Sequence, residues 1–154
     1  MTKNNFIVMI KVQSVERKTV KPNEEKEGGM SMEIVHTDRA PAAIGPYSQA
    51  VTVGGLLFTS GQIPIDPVTG VIAGETIETQ AEQVMKNLAA VLTAAGTGFE
   101  KAVKTTCFLA DMGDFAAFNE IYGKYFISKP ARSCMEVAKL PKGVLCEVEV
   151  IAQL

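Results

Sequence analysis

TIETQAEQVMKNLAAVLTAAGTGFEKAVKTTCFLADMGDFAAFNEIYGKYF, residues 76–126, reads as helix, strand, helix, and that order decides the fold. Ile77, Ala81, Val84, Leu88, Val91, Leu92 and Ala95 recur at three- and four-residue spacing, which places them on one stripe of a helix. Thr76 offers a side-chain oxygen to the first free N–H groups, and Gly96 stands where a left-handed residue closes a helix. VKTTCFLA, residues 103–110, then alternates as a strand. Asp114 is the expected cap of a second helix whose inner face carries Phe115, Phe118, Ile121, Tyr122 and Tyr125. Gly123 weakens that helix slightly, and Pro130 prevents its continuation.

Upstream, MEIVHT (32–37) is a short strand, followed by the Pro-stiffened loop PAAIGPYSQ. VTV and LLFTS flank Gly54-Gly55, the spacing of a tight hairpin whose turn needs positive φ twice. GQIPIDPVTGVIAGE is too rich in Pro and Gly for regular structure. Downstream, SCMEVA (133–138) and VLCEVEVIA (144–152) are strands joined through Pro141-Lys142-Gly143. The order β-β-β-α-β-α-β-β has too few helices to cover both faces of a sheet. It predicts an α+β sandwich with both helices on one face. The other face, expected to carry Val, Leu and Cys, would need cover from self-association.

Residues 1–31 differ in composition. VERKTVKPNEEKEGG is charge-dense and linker-like, and Met30 or Met32 could each begin the functional chain. The expectation is a flexible or upstream-derived extension before one domain over 32–154; the alternative is an accessory strand from Asn5 to Gln13.

A formal net charge of -2 supplies no basic footprint for nucleic acid, and a single His36 is poor material for RNA cleavage or for a His-rich metal site. Three cysteines without a C-x-x-C pair read as free thiols in a reducing, cytoplasmic setting. No apolar run is long enough to span a membrane, the short apolar stretch at Phe6–Ile10 lacks a cleavage site, and no phosphate-binding Gly motif is present.

The chemistry concentrates at the end. Alternation over 131–137 puts Arg132, Cys134 and Glu136 on one strand face, and Ser133, Met135 and Val137 on the other. Arg132 is either half of a surface ion pair or a fork that grips a carboxylate with two parallel bonds. Cys134 is a small packing residue or a ligand contact, and no base is placed to make it a nucleophile. In the last strand Leu145, Glu147, Glu149 and Ile151 share a face opposite Cys146, Val148, Val150 and Ala152. A carboxylate there is either an exposed edge group or, if part-buried, a proton acceptor with a raised pKa. Tyr47 and Ser60-Gly61-Gln62 are loop residues at strand ends, where ligand groups commonly sit.

APAAIGPYSQAV, FTSGQIPIDPVTG, VKTTCFLADMGDFAAFNEIYGKYF and PARSCMEVAKLPKGVLCEVEVIA together resemble the Rid (YjgF) family of reactive-intermediate deaminases, over about residues 32–154. The resemblance implies a chorismate-mutase-like fold, a homotrimer closing a central β-barrel, and sites between subunits. It implies cofactor-independent hydrolysis of 2-aminoacrylate, 2-iminopropanoate and 2-iminobutanoate to 2-keto acids and ammonia. Carried over by position, Arg132 binds the substrate carboxylate and Glu147 positions water. Tyr47, Ser60, Gly61 and Cys134 line the pocket, and Asn119 supports it from the second helix. The competing reading is a trimer that binds 2-keto acids as a regulator without turnover.

Overall fold

The structure is a computed structural model that describes residues 31–154. The expected extension over 1–31, with its alternative strand at Asn5–Gln13, lies outside the described residues except for Ser31.

The elements follow the expected order: β1 (Glu33–Val35), β2 (Ala50–Val53), β3 (Leu56–Thr59), α1 (Ile77–Ala94), β4 (Ala102–Leu109), α2 (Phe115–Tyr125), β5 (Ala131–Glu136) and β6 (Cys146–Gln153). They form one mixed sheet in the order β1-β2-β3-β6-β4-β5. Neighbours are antiparallel except β4 and β5, which run parallel because α2 carries the chain back between them. The last strand in the chain thus sits inside the sheet.

Gly54 and Gly55 both adopt positive φ, 59° and 77°, as the two-residue hairpin requires. Thr76 accepts from the Thr79 N–H at the start of α1. At its end Gly96 takes φ 76°, with Gly96 N–H donating to Thr93 O and Thr97 N–H to Leu92 O. That pair of bonds is a Schellman closure. Asp114 precedes α2 but makes no side-chain cap bond; the capping oxygen belongs to Asp111, which accepts from Gly113 N–H in the 3-10 turn before the helix. That turn carries the chain into α2, so the Asp–Gly pair inside it satisfies the free donors first.

Alternation sorts the sheet into two faces. Leu57, Cys107, Leu109, Cys146, Val148, Val150 and Ala152 point toward the helices and are buried against Ala81, Val84, Leu88, Val91, Phe118 and Ile121. The expectation that cysteines occupy the uncovered face is therefore corrected: Cys107 and Cys146 share parity with the core valines. The uncovered face carries Phe58, Lys104, Thr106, Ser133, Met135, Glu147, Glu149 and Ile151, as the strand registers require. It mixes charged groups with apolar ones.

α1 also buries two polar residues that its apolar stripe does not announce. Asn87 donates to the carbonyls of Ile63 and Ile65, and Gln80 donates to Gly74 O while accepting from Leu145 N–H. They tie the irregular 61–74 segment to the helix and satisfy backbone groups that no strand partner reaches.

Candidate functional site

The residues singled out in the sequence fall into two groups on opposite faces of the sheet. The first stands on the helix side, at the β5 edge. Arg132 pairs in register with Thr105 of β4, and the parity of that row matches Val150 of β6. Its Nη1 donates to Asn119 Oδ1 at 2.7 Å. Its guanidinium lies 4.7 Å from the centre of the Tyr122 ring and 5.6 Å from that of Phe115. Phe115, Asn119 and Tyr122 are spaced four and three residues apart, so one face of α2 meets the guanidinium with two rings and an amide. Asn119 takes the only guanidinium hydrogen bond formed among the described residues, and the other N–H groups remain for a ligand.

Cys134 stands two residues further on the same face, in register with Cys107. Burial holds the Cys134 thiol above its ordinary range while Arg132 pulls the other way; burial pushes Cys107 up to about 12. Both are neutral thiols near neutral pH, which fits the contact role rather than a nucleophile.

The second group is on the uncovered side. Glu147, opposite Phe108 in the register, is half-buried. Desolvation, and secondarily Glu149, raises its carboxyl above the ordinary 4.5. The expected part-buried carboxylate is thus present. Its carboxyl group lies over Gly61, in the space a Cβ would occupy, so any larger residue there would displace the Glu147 side chain. Gly61 stays in place because Gln62 and Val148 exchange backbone hydrogen bonds. Ser60 spends its hydroxyl on Ser48 O at 2.6 Å, which fixes the loop that carries Tyr47. Tyr47 is exposed, and with Gly61, Ile44, Ile63 and Lys142 it lines a cavity of about 260 Å³.

Within one chain the structure joins Arg132 with Asn119 and Cys134, and Gly61 with Glu147 and Tyr47. It does not bring Arg132 and Glu147 together, because the sheet separates them. The contacts of Phe115, Tyr122 and Thr105 with this site escaped the sequence reading, which treated the two aromatics as core. The available signal was their helical spacing from Asn119. Among the described residues no cluster of His, Cys, Asp and Glu could hold a metal ion, and no helix is long and apolar enough to cross a membrane.

Among the described residues a mixed six-stranded sheet with two helices on one face, and candidate site residues on both, defines the class as a small α+β protein. The model of the endoribonuclease L-PSP family matches residues 37–154, and the chain belongs to that family, which includes the Rid and RutC proteins. A RutC family protein of Synechocystis sp. is 57% identical over 128 residues, covering 81% of this chain and 98% of that one. Among solved structures, E. coli TdcF with bound serine is 44% identical with a TM-score of 0.76, over 79% of this chain and 98% of that one. RidA from an Antarctic Psychrobacter is 42% identical, also with a TM-score of 0.76, over 79% and 99%.

Proposed function

We propose that this protein hydrolyses small 2-imino acids, the tautomers of enamines such as 2-aminoacrylate, to 2-keto acids and ammonia, as a cytoplasmic enzyme that needs no cofactor. The observation that carries this reading is the Arg132 guanidinium, fixed between Asn119 and two aromatic rings with most of its N–H groups uncommitted. A preorganised fork of that kind suits a carboxylate. The three cysteines are free thiols, in keeping with a reducing compartment.

The imine carbon is already electrophilic, so the protein has to supply orientation and a placed water. Arg132 grips the carboxylate beside Cys134. Glu147, over Gly61, takes a proton from water as its oxygen bonds to C2, and the C=N π pair moves to nitrogen. Glu147 returns that proton to nitrogen, giving the neutral carbinolamine. The hydroxyl proton then passes through Glu147 to nitrogen as the C–N bond breaks with its electron pair and the O–H pair closes the C=O bond, releasing ammonia and a 2-keto acid. Tyr47 lines the cavity, and Ser60, bonded to Ser48 O, holds the loop that carries it. The raised pKa of Glu147 suits an acceptor that has to hold a proton briefly.

Arg132 and Glu147 on opposite faces argue for a site completed between subunits. A cyclic homotrimer, its uncovered faces closing a central β-barrel, would set the Arg132 group of one copy against the Glu147 group of the next. It would also cover Phe58 and Met135, both exposed in the single chain.

A second reading, a trimer that binds 2-keto acids as a regulator without turnover, draws on the serine seen bound in E. coli TdcF. One experiment separates the two. A serine dehydratase generates 2-aminoacrylate in situ, and pyruvate release is followed with this protein and with Arg132→Ala. Acceleration by wild type alone supports the deaminase. A folded wild type that binds pyruvate yet adds nothing to the spontaneous rate leaves the regulator.

A further inference from the structure

We infer that Tyr122 is a positioning residue for the carboxylate-binding arginine: its ring holds the Arg132 guanidinium in place over its face while its hydroxyl is tied to Thr105 on the sheet. The inference rests on the reading of Arg132 as the carboxylate fork. Three contacts carry it. The guanidinium carbon is 4.7 Å from the Tyr122 ring centre, well inside cation–π range. The Tyr122 hydroxyl shares a 2.8 Å hydrogen bond with Thr105 Oγ1, and Thr105 is fully buried on β4. Thr105 is also the residue in register with Arg132, so one backbone rung sets both ends of the arrangement. Finally, the ring stacks on Phe126 at 4.3 Å, which backs it against the buried end of α2.

The chemistry follows from what each contact withholds. A ring beneath the guanidinium balances its charge without taking an N–H group. A carboxylate at the same place would neutralise the arginine and occupy the fork. Asn119 takes one N–H of Nη1 and sets the rotation about the guanidinium plane. Phe115, at 5.6 Å, supplies a second ring. The side chain arrives at the ligand charged and, apart from one N–H held by Asn119, uncommitted, with little rotamer freedom left to lose on binding.

The test compares wild type, Tyr122→Phe, Tyr122→Leu and Phe115→Leu. Each is titrated with pyruvate and with its neutral amide, assayed for 2-aminoacrylate turnover, and examined by NMR at the Arg132 Nε–H resonance. In Tyr122→Leu we expect pyruvate affinity to fall on the order of tenfold, the scale of a partly desolvated cation–π contact, with binding of the amide unchanged. KM rises while kcat holds, and the Arg132 signal loses its ring-current displacement. Tyr122→Phe keeps the ring and stays within about threefold of wild type, since it gives up one net hydrogen bond remote from the ligand. Equal weakening toward pyruvate and the amide, or an Arg132 signal unmoved in Tyr122→Leu, overturns the inference. Should Tyr122→Leu fail to fold, Tyr122→Met, which keeps a long apolar side chain without the ring, carries the same comparison with the same overturning results; Phe115→Leu reports the smaller share of the second ring. A wild type that binds no pyruvate defeats the carboxylate reading of Arg132, while the NMR comparison still decides whether Tyr122 holds the guanidinium.

Discussion

The two faces of the sheet are built from the same strands to opposite ends. In β6, Cys146, Val148, Val150 and Ala152 are all at most 1% exposed, while Glu147, Glu149 and Ile151 between them stay half-buried. On the helix side burial is nearly complete, the polar groups within it (Thr59, Thr105, Gln80, Asn87) are hydrogen-bonded, and a charged side chain enters only at the β5 margin, where Arg132 meets α2. On the other side carboxylates, a lysine and large apolar groups stand together with no helix or strand among the described residues above them. The difference teaches that one face serves stability, while the other is the face the proposed trimer would cover. Each holds half of the proposed site.

The largest effect separates these halves genetically. Arg132→Ala and Glu147→Gln should each lose at least about a hundredfold in turnover, the scale of a lost charge clamp or general base. Refolded together, they should recover about a quarter of wild-type activity, because about three quarters of random trimers are mixed and each mixed ring has one intact site of three. No recovery on mixing, with trimers present, would place both residues of a working site in one chain and break the comparison.

A smaller effect contrasts adjacent residues on opposite faces. Leu57 is fully buried on the helix side, and Phe58 beside it is exposed. Leu57→Ala should cost roughly 2–5 kcal/mol of unfolding free energy at any protein concentration. Phe58→Ala should spare the subunit and weaken assembly, so its Tm deficit grows on dilution. Thermal melts over a hundredfold concentration range read both, and identical concentration dependence would show that the faces do not divide the work.

The smallest effect belongs to Glu147. Its folded pKa lies above 4.5, chiefly through desolvation, so the ionised form opposes folding. Below 4.5 both folded and unfolded chains are protonated there and the penalty vanishes. It grows as pH rises past 4.5 and is complete above the raised folded value. Glu147→Gln should therefore raise Tm at pH 7 by a few degrees at most, with the gain disappearing by about pH 4. A gain that persists at low pH would assign it to packing instead.

Much of this was legible in local pattern. Period-two alternation in 131–137 and 144–152 placed Arg132 and Cys134 together, and Glu147 on the face away from Val148, because parity along a strand is a local property. The 3–4 spacing in 77–95 named the buried stripe of α1 for the same reason. Strand order was not legible, since β6 pairs with β3 and β4 through contacts far apart in sequence. The cysteines were assigned to the wrong face because Cys107 and Cys146 were judged by type, when their registry with Val148 and Leu109 decides. Gln80 and Asn87 escaped because polarity predicts exposure, whereas here the irregular 61–74 segment needs their hydrogen bonds. Tyr122 was read as core, which it is; its second duty depends on where β5 docks.

The interior seat of β6 bears on how the chain acquires its shape. Every strand that β6 joins precedes it, so β3 and β4 keep unpaired edges toward one another until residues 146–153 arrive between them. Pairing across such sequence separations is slow, because loop closure is completed before contacts compensate for it. During that interval two open edges are templates for other chains. Folding yield, more than final stability, is then the quantity that substitutions in β6 will move first.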